Sequence, residues 1–162
     1  MTTIAWDGRY LAADTRETWD KSIPTFSRKI EILDPEVIMA YCGSSYVYSH
    51  IKDFFLGRTT KLAKEAKASE AIVIVKGKPY NWQGTELDGL VQIYSPPHAI
   101  GSGWKYAWAY MRLGYSAMDA INMTSQMDIW TNDVVDYYDT KTKKLHLAPF
   151  PTNRIQLPAI PV

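Results

Sequence analysis

The sequence predicts three groups of strands. One predicted helix separates the first group from the second, and two predicted helices separate the second from the third. Period-two alternation, or a short apolar run bounded by turn residues, predicts strands at 3–6, 9–14, 25–33, 37–42, 71–75, 77–82, 90–94, 133–139 and 144–147. Apolar residues at helical spacing predict helices at 46–56, at 104–113, and from Ser116 toward Ile129. Because each sheet must cover its apolar face, this order predicts an α+β fold in which two antiparallel sheets stack between two helical layers.

Three segments fall outside this pattern. Residues 15–24 are polar and predict a loop, whereas residues 58–70 are charged and Ala-rich and predict a short helix or an exposed connection. Residues 149–162 are Pro-rich, and such a segment is predicted to be extended. The sequence therefore predicts one domain over 1–148, followed by a C-terminal tail over 149–162.

Composition limits the classes of function. A chain of 162 residues with 46% hydrophobic content can bury one sizeable core, whereas two domains would be cramped. The 18 Lys and Arg against 17 Asp and Glu leave a net charge of +1, which gives no electrostatic case for binding nucleic acid or a membrane surface. Cys42 is the single cysteine, and the three histidines lack the spacing of metal ligands. We therefore expect no disulfide, no metal and no cofactor.

The start of the chain bears on localisation. Its first seven residues lack the basic segment and the long apolar run of a signal peptide, and no apolar stretch approaches the ~20 residues of a transmembrane helix. We expect a soluble, cytoplasmic protein.

The second residue offers a chemical group of its own. If Met1 is removed, Thr2 carries a hydroxyl and a free amine on adjacent carbons, which is a nucleophile with its base attached. An α-amine has a pKa of about 7.7 to 8.0, so a useful fraction is neutral near physiological pH and can act as a general base. Thr2 is small enough for methionine aminopeptidase to act before it, whereas a retained Met1 would turn the amine into an amide. Without other support, a threonine at position 2 is far more often an ordinary strand start than a nucleophile.

Six short segments give that support. They are TTIA at 2–5, AADTR at 12–16, KI at 29–30, AYCG at 40–43, IGSG at 100–103 and DIWTN at 128–132. In this order and spacing they resemble a proteasome β-subunit, and in particular the bacterial HslV peptidase and compact phage or bacterial relatives. The resemblance spans roughly positions 2 to 139. It implies the αββα sandwich of the N-terminal-nucleophile (Ntn) hydrolases, which agrees with the layers predicted from the order of elements.

The resemblance also implies an activity, that of a threonine-type peptidase or amidohydrolase that works through an acyl-enzyme. Thr2 matches the nucleophile. Lys29 matches a buried lysine whose ammonium would lower the pKa of the hydroxyl and the amine, and Asp14 matches the carboxylate that holds it. The Gly43 N–H matches an oxyanion-hole donor, a contact whose loss typically costs ~3 kcal/mol in barrier height.

Further residues are matched around this centre. Ser102, Asp128 and Thr131 match the residues that hydrogen-bond around the amino terminus. Tyr41 and residues near Tyr46 would line the primary specificity pocket. The implied partners are a peptide or protein substrate, other copies of the chain in a homo-oligomeric ring, and an ATP-dependent unfoldase.

Some features depart from that family. Residues 58–70 are too short and too polar for the long second half of a helical hairpin that helps to form ring contacts, and the tail has no counterpart. A catalytically silent binding, inhibitory or assembly protein is therefore a second interpretation. The Asp14–Lys29 pair could be structural, because buried ion pairs also perturb pKa values without catalysis. Cys42 is a rival nucleophile, but its place at the end of an apolar run predicts a buried core residue.

Overall fold

The structure is a computed structural model that describes residues 2–19, 23–60, 68–84 and 89–151. Within these ranges the strands are β1 (Thr3–Trp6), β2 (Tyr10–Asp14), β3 (Arg16–Trp19), β4 (Ile23–Phe26), β5 (Ile30–Asp34), β6 (Val37–Cys42), β7 (Glu70–Val75), β8 (Lys78–Gln83), β9 (Leu90–Gln92), β10 (His98–Gly101), β11 (Val135–Asp139) and β12 (Lys144–His146). The helices are α1 (Ser45–Phe55), α2 (Trp104–Arg112) and α3 (Ala117–Thr124).

The first strand lies inside a five-stranded antiparallel sheet of order β10-β1-β2-β11-β12. The β1–β2 turn forms at Gly8, whose φ of +106° suits glycine, and the Asp7 carboxylate accepts hydrogen bonds from the backbone N–H groups of Arg9 and Tyr10. Ile4 pairs with Ala13 across β1 and β2. This register brings the start of β1 beside the end of β2, where Asp14 lies.

A second sheet faces the first. Its five antiparallel strands follow the order β5-β6-β7-β8-β9. The space between the two sheets is filled by buried aliphatic side chains, including Ile4 and Leu11 from the first sheet and Ile72 and Ile74 from the second. This layer is the main core.

Helices cover the outer faces of both sheets. Small residues, among them Ala5, Ala12 and Ala107, let α2 and α3 pack closely on the first sheet. On the other side, α1 packs through Val47 and Ile51 against the second sheet. The molecule is thus a four-layer αββα sandwich, and the predicted α+β fold is confirmed.

Several local predictions were wrong. Residues 15–24 contain most of the β3–β4 hairpin instead of a loop, and residues 25–33 do not form one strand, because β4 ends at Phe26 and β5 begins at Ile30. The third helix begins after its predicted N-cap, Ser116, but ends at Thr124, and residues 98–101 form a strand, β10, that was not predicted.

Other predictions lie partly outside the described ranges. Residues 61–67, within the predicted connection 58–70, and residues 152–162 of the tail are not described, so the division at 148 stays a prediction. Among the helices that the structure describes, none combines the length and apolar character that crossing a bilayer requires.

Trp82 lies in the core beneath α1, and we expect its truncation to reduce the stability of the protein strongly. This side chain is fully buried and its ring meets Phe55 edge-on, with 5.5 Å between ring centroids. We expect Trp82→Ala to lower the free energy of unfolding by about 3–5 kcal/mol, because it leaves a large cavity. Urea unfolding followed by circular dichroism measures the change. Trp108→Ala is the matched control, since Trp108 is 43% exposed on α2 and its loss should cost under about 1 kcal/mol. Equal losses in the two variants would contradict the assignment of Trp82 to the core.

Candidate active site

The Asp14 carboxylate, at the end of β2, joins several segments. Its Oδ1 accepts hydrogen bonds from the Thr3 N–H at 2.9 Å and from Lys29 Nζ at 2.8 Å. Its Oδ2 accepts weaker ones from the N–H groups of Arg16 at 3.2 Å and Asn132 at 3.3 Å. Asp14 is fully buried. A buried carboxylate needs this degree of satisfaction, because an unpaired charge away from water is very costly.

Lys29 lies in the segment between β4 and β5, outside both sheets, and this corrects the prediction that it lies inside a strand. Besides Asp14, its Nζ donates to the Arg16 carbonyl oxygen at 2.6 Å, and its own carbonyl accepts from the Tyr41 N–H at 3.0 Å. Burial lowers the pKa of Lys29, while the attraction of Asp14 opposes this change. The ammonium is therefore held in place at the wall of the site.

A second network approaches the start of β1 from the other side. Asp128 Oδ2 accepts hydrogen bonds from Ser102 Oγ at 2.8 Å and from Thr131 Oγ1 at 2.6 Å. The Thr131 hydroxyl also shares a 2.6 Å hydrogen bond with the hydroxyl of Thr3. The Gly103 N–H donates to the same Thr3 oxygen at 3.1 Å. The three predicted residues are thus brought together, and Thr3 connects them to β1.

Thr2 is held through its backbone. Its carbonyl oxygen accepts a hydrogen bond from the Ser102 N–H at 2.8 Å, and the next N–H, that of Thr3, is the one that donates to Asp14. The peptide unit between Thr2 and Thr3 is therefore fixed at both its polar ends. Gly101 allows this approach, because it has a φ of +90° and a Cβ there would lie 1.8 Å from the Thr2 carbonyl oxygen.

Thr2 also lines a cavity of about 570 Å³, whose wall includes Lys29, Tyr41 and Gly43. Gly43, at φ +154°, lies where a Cβ would be 2.6 Å from both Ser69 Oγ and Tyr41 Oη. Any other residue would have to displace these hydroxyl groups. The backbone of Gly43 therefore reaches the cavity at the point where β6 ends and α1 approaches.

Hydrogen bonds hold the aromatic side chain of Tyr41 in the cavity wall. Tyr41 is buried, and its hydroxyl donates to the Ser44 carbonyl oxygen at 2.8 Å and lies 2.8 Å from Ser69 Oγ. Its ring packs on Tyr48 at 5.3 Å between centroids. Tyr46, which was predicted near the pocket, belongs to α1, but its side chain lies outside what the structure describes.

Cys42 departs from its prediction. It packs against the core between the sheets, as expected, but it is only partly buried and also lines the cavity. Burial raises the pKa of its thiol to about 11. Since the thiolate is the reactive form of cysteine, this thiol is a poor nucleophile near neutral pH.

Some contributors were missed from the sequence. The sequence predicts Thr3 only as a strand residue, and nothing in it signals that the Thr3 hydroxyl has a partner 128 positions away. The Asn132 N–H and the Arg16 carbonyl act through their backbones, so their side-chain identity reveals nothing. No three His, Cys, Asp or Glu side chains come together as a metal-ligand set within the described ranges.

Comparison with known proteins places the fold of this chain in a structural class. No family model and no curated protein matches the sequence. Among solved structures, the chain is similar to eukaryotic HslV from Trypanosoma brucei, with a TM-score of 0.58 and 18% identity over 84% of this chain and 96% of that one.

Two further solved structures are also similar. BPH of Thiobacillus denitrificans, in complex with epoxomicin, has a TM-score of 0.64 and 15% identity over 91% of this chain and 99% of that one. The Anbu (Gly-1) mutant from Hyphomicrobium sp. strain MC1 has a TM-score of 0.64 and 15% identity, covering 90% of this chain and 85% of that one. The chain therefore has the proteasome-like fold of the Ntn hydrolases.

The buried ion pair predicts a pH-dependent loss of stability. Asp14→Asn leaves the Lys29 ammonium without its counter-charge, and we expect the free energy of unfolding to fall by about 3–5 kcal/mol at pH 7. Loss of Asp14 also lowers the pKa of Lys29 further, because the Asp14 charge raises it. The unfolded chain then binds more protons than the folded one between that lowered pKa and the ordinary lysine value, so the deficit should narrow as the pH rises.

Urea unfolding at pH 7 and pH 9 measures this change. The control is Asp53→Asn, which breaks the exposed 3.4 Å pair with Arg58 and should cost no more than about 1 kcal/mol at either pH. A deficit in Asp14→Asn that is small, or that grows with pH, would contradict the buried charged pair.

Proposed function

We propose that this chain is a threonine-type Ntn peptidase or amidohydrolase that acts through Thr2 after removal of Met1. The observation that carries the proposal is the fixed peptide unit between Thr2 and Thr3, held by Ser102 and Asp14 at the wall of a 570 Å³ cavity that Lys29 also lines. This is where a nucleophile at the start of β1 needs to be rigid, because catalysis depends on a fixed attack geometry.

The chemistry follows from the groups at that wall. The neutral Thr2 amine accepts the hydroxyl proton while the Thr2 Oγ1 attacks the substrate carbonyl carbon. The Lys29 ammonium favours the deprotonated forms of both groups electrostatically. The Gly43 N–H is the donor for the oxyanion of the tetrahedral intermediate. The intermediate collapses when the proton passes to the leaving nitrogen and the C–N bond breaks, and water then hydrolyses the ester.

Asp128, Ser102 and Thr131 have a supporting role in this proposal. The Ser102 N–H holds the Thr2 carbonyl, the Thr131 hydroxyl bonds that of Thr3, and Asp128 accepts from the hydroxyls of both Ser102 and Thr131. These residues thus orient the nucleophile without touching the substrate. Tyr41 forms part of the pocket wall, and its hydroxyl is held by Ser44 and Ser69. Tyr46 is retained as a pocket residue by resemblance only.

The substrate class and assembly are part of the proposal. The motifs resemble those of the bacterial HslV peptidase, and the similar BPH structure is in complex with epoxomicin, so we propose a peptide or protein substrate for this cavity. We also propose a homo-oligomer in the cytoplasm, with an ATP-dependent unfoldase as partner, and native mass spectrometry distinguishes a ring from a monomer. The compact type of chain suits a bacterial or phage source.

Covalent labelling tests the nucleophile. Purified protein lacking Met1 should gain the mass of one epoxomicin molecule, because the epoxyketone reacts with both the hydroxyl and the amine of an N-terminal threonine. Thr2→Ala should lose all labelling, whereas Thr2→Ser keeps both reactive groups and should retain it. Equal labelling of Thr2→Ala and the unchanged chain would refute Thr2 as the nucleophile. A fully retained Met1, seen by intact mass, would instead favour the catalytically silent binding, inhibitory or assembly protein.

The pH dependence of labelling tests the base. The amine must be neutral to accept a proton, so the rate should be low at acid pH and rise as the pH increases through the amine pKa. The ordinary value is about 7.7 to 8.0, and the nearby Lys29 charge should place the midpoint at or below it. Labelling rates between pH 5.5 and 9 give the midpoint. A rate that falls over this range would exclude the amine as the base.

A further inference from the structure

Cationic side chains are gathered in the wall of the cavity that Thr2 lines. Those that the structure describes there are Arg16, Arg28 and Lys29. They come from neighbouring stretches of backbone, because Arg16 pairs with Phe26 across β3 and β4, and the Arg16 carbonyl oxygen accepts a hydrogen bond from Lys29 Nζ at 2.6 Å. The wall therefore carries three positive charges in adjacent positions.

The carboxylates that pair with two of these cations do not reach the cavity. Lys29 Nζ lies 2.8 Å from Asp14 Oδ1, and Arg28 Nη1 donates to Asp136 Oδ1 at 2.5 Å. Both carboxylates are fully buried, and neither lines the cavity. Because the cations border the cavity and their counter-charges do not, the electrostatic potential inside it is more favourable for an anion than the paired charges alone suggest.

Arg16 has no counter-charge of this kind. Within the part of the chain that the structure describes, its guanidinium forms no ion pair, and its Nε is buried without a hydrogen-bond partner. Thr18 lies two residues later on the same face of β3, also lines the cavity, and its Oγ1 is buried without a partner as well. Arg16 as a whole is only partly buried, so a ligand can approach its guanidinium. Polar groups that are left unpaired in this way point to a ligand that supplies an acceptor.

One acidic residue, Glu17, opposes this charge among the described residues of the wall. It lies between Arg16 and Thr18 on β3, and successive side chains of a strand point to opposite faces. Glu17 therefore does not pair with Arg16, and it leaves the wall with more positive than negative charge.

Arg28 is held ready for a ligand. Besides its hydrogen bond to Asp136, its guanidinium lies 3.7 Å from the centre of the Phe150 ring. A guanidinium has five N–H donors in a planar fork that matches a carboxylate, and the contact with Asp136 is printed for one nitrogen alone. A group that is already fixed loses little freedom when a ligand binds, so more of the interaction energy remains for affinity.

We propose that this cavity selects peptides with an acidic side chain, whose carboxylate is bound by the guanidinium groups of Arg16 and Arg28. The meaning of this selection for a substrate rests on the proposed function. Binding of an acidic peptide does not, because it needs only the charged wall.

Three peptides that differ at one position test the selection. Each has five residues, with glutamate, glutamine or lysine at the centre of four alanines, an amide at the C-terminus and an uncharged BODIPY dye at the N-terminus. They are titrated with the Thr2→Ala chain, so that no chemistry intervenes, and binding is followed by fluorescence anisotropy. The glutamate peptide should bind about tenfold more tightly than the glutamine peptide, because its hydrogen bonds are charge-assisted, and the lysine peptide should bind most weakly.

Salt and the order of affinities decide the outcome of this titration. The difference between the glutamate and glutamine peptides should narrow as the salt concentration rises, because salt screens partly exposed charges. Absence of a preference for glutamate, through equal binding or through no binding at all, would overturn the proposal. Tightest binding of the lysine peptide would also overturn it and would assign the selection to Glu17.

Variants of the wall test the residues. Arg16→Gln keeps the backbone groups that contact Asp14 and Lys29 and leaves no carboxylate unpaired, so it should fold normally and lose most of the preference for glutamate. Arg58→Gln is the matched control, because it removes a cation whose partner, Asp53, lies outside the wall, and it should keep the preference. Glu17→Gln should strengthen binding of the glutamate peptide. A full preference in Arg16→Gln, or weaker glutamate binding in Glu17→Gln, would contradict the assignment.

Arg28 needs a more conservative change, since its loss would leave the buried Asp136 charge unpaired. Arg28→Lys keeps the charge but removes the planar fork, and it should bind the glutamate peptide several-fold more weakly while the glutamine peptide is unaffected. Circular dichroism confirms that the variant is folded. An equal loss for both peptides would show that Arg28 supports the wall without binding the carboxylate.

Competition with epoxomicin locates the binding site. The glutamate peptide should slow labelling of the chain with Thr2 intact, and it should do so at about tenfold lower concentration than the glutamine peptide. Labelling that continues unchanged while the glutamate peptide is bound would place its site outside the cavity and overturn the proposal. If no labelling occurs at all, but the Thr2→Ala chain and the wall variants bind the peptides as described, the proposed function fails while the selection of acidic peptides stands.

Discussion

The carboxylate of Asp14 is the point on which this site depends. It is fully buried, and its two oxygens accept hydrogen bonds from four groups on four segments: the starts of β1 and β3, the segment before β5, and the loop before β11. Water could not replace these donors in the interior, so the four segments must meet if the charge is to be tolerated. The same requirement that stabilises the fold therefore positions the Thr2 backbone and the Lys29 ammonium.

The peptide unit between Thr2 and Thr3 is held at its two polar ends by two different parts of the chain. Asp14 holds the N–H of Thr3 from the end of β2, whereas Ser102 holds the carbonyl of Thr2 from the loop that leads into α2. The start of β1 is thus supported by both halves of the sequence. Rigid placement of a reacting group by independent elements is what a catalytic geometry needs.

The layer order could be predicted from the sequence because hairpins and amphipathic helices have local signatures. Lys29 shows where local signatures fail: the alternation from 25 to 33 suggests one strand, but Ser27 to Lys29 leave both sheets so that the ammonium can reach Asp14. Likewise, α3 stops at Thr124 although apolar residues continue, and the following turn brings Asp128 to Ser102. Polar contacts between residues far apart in the sequence decide where these strands and this helix end. The periodicity of apolar residues carries no information about such contacts. The seven candidate catalytic positions came from the resemblance to a proteasome β-subunit, whereas Thr3 and the backbone acceptor at Arg16 could be found only in three dimensions.

The position of β1 has a practical consequence for protein production. β1 lies between β10 and β2, and Thr2, at its start, is only 6% exposed. Thr2 also lines the cavity, so any residues added before it would start from the cavity wall. An uncleaved N-terminal affinity tag would therefore begin at the cavity wall, and material prepared in that way would carry extra residues at the cavity.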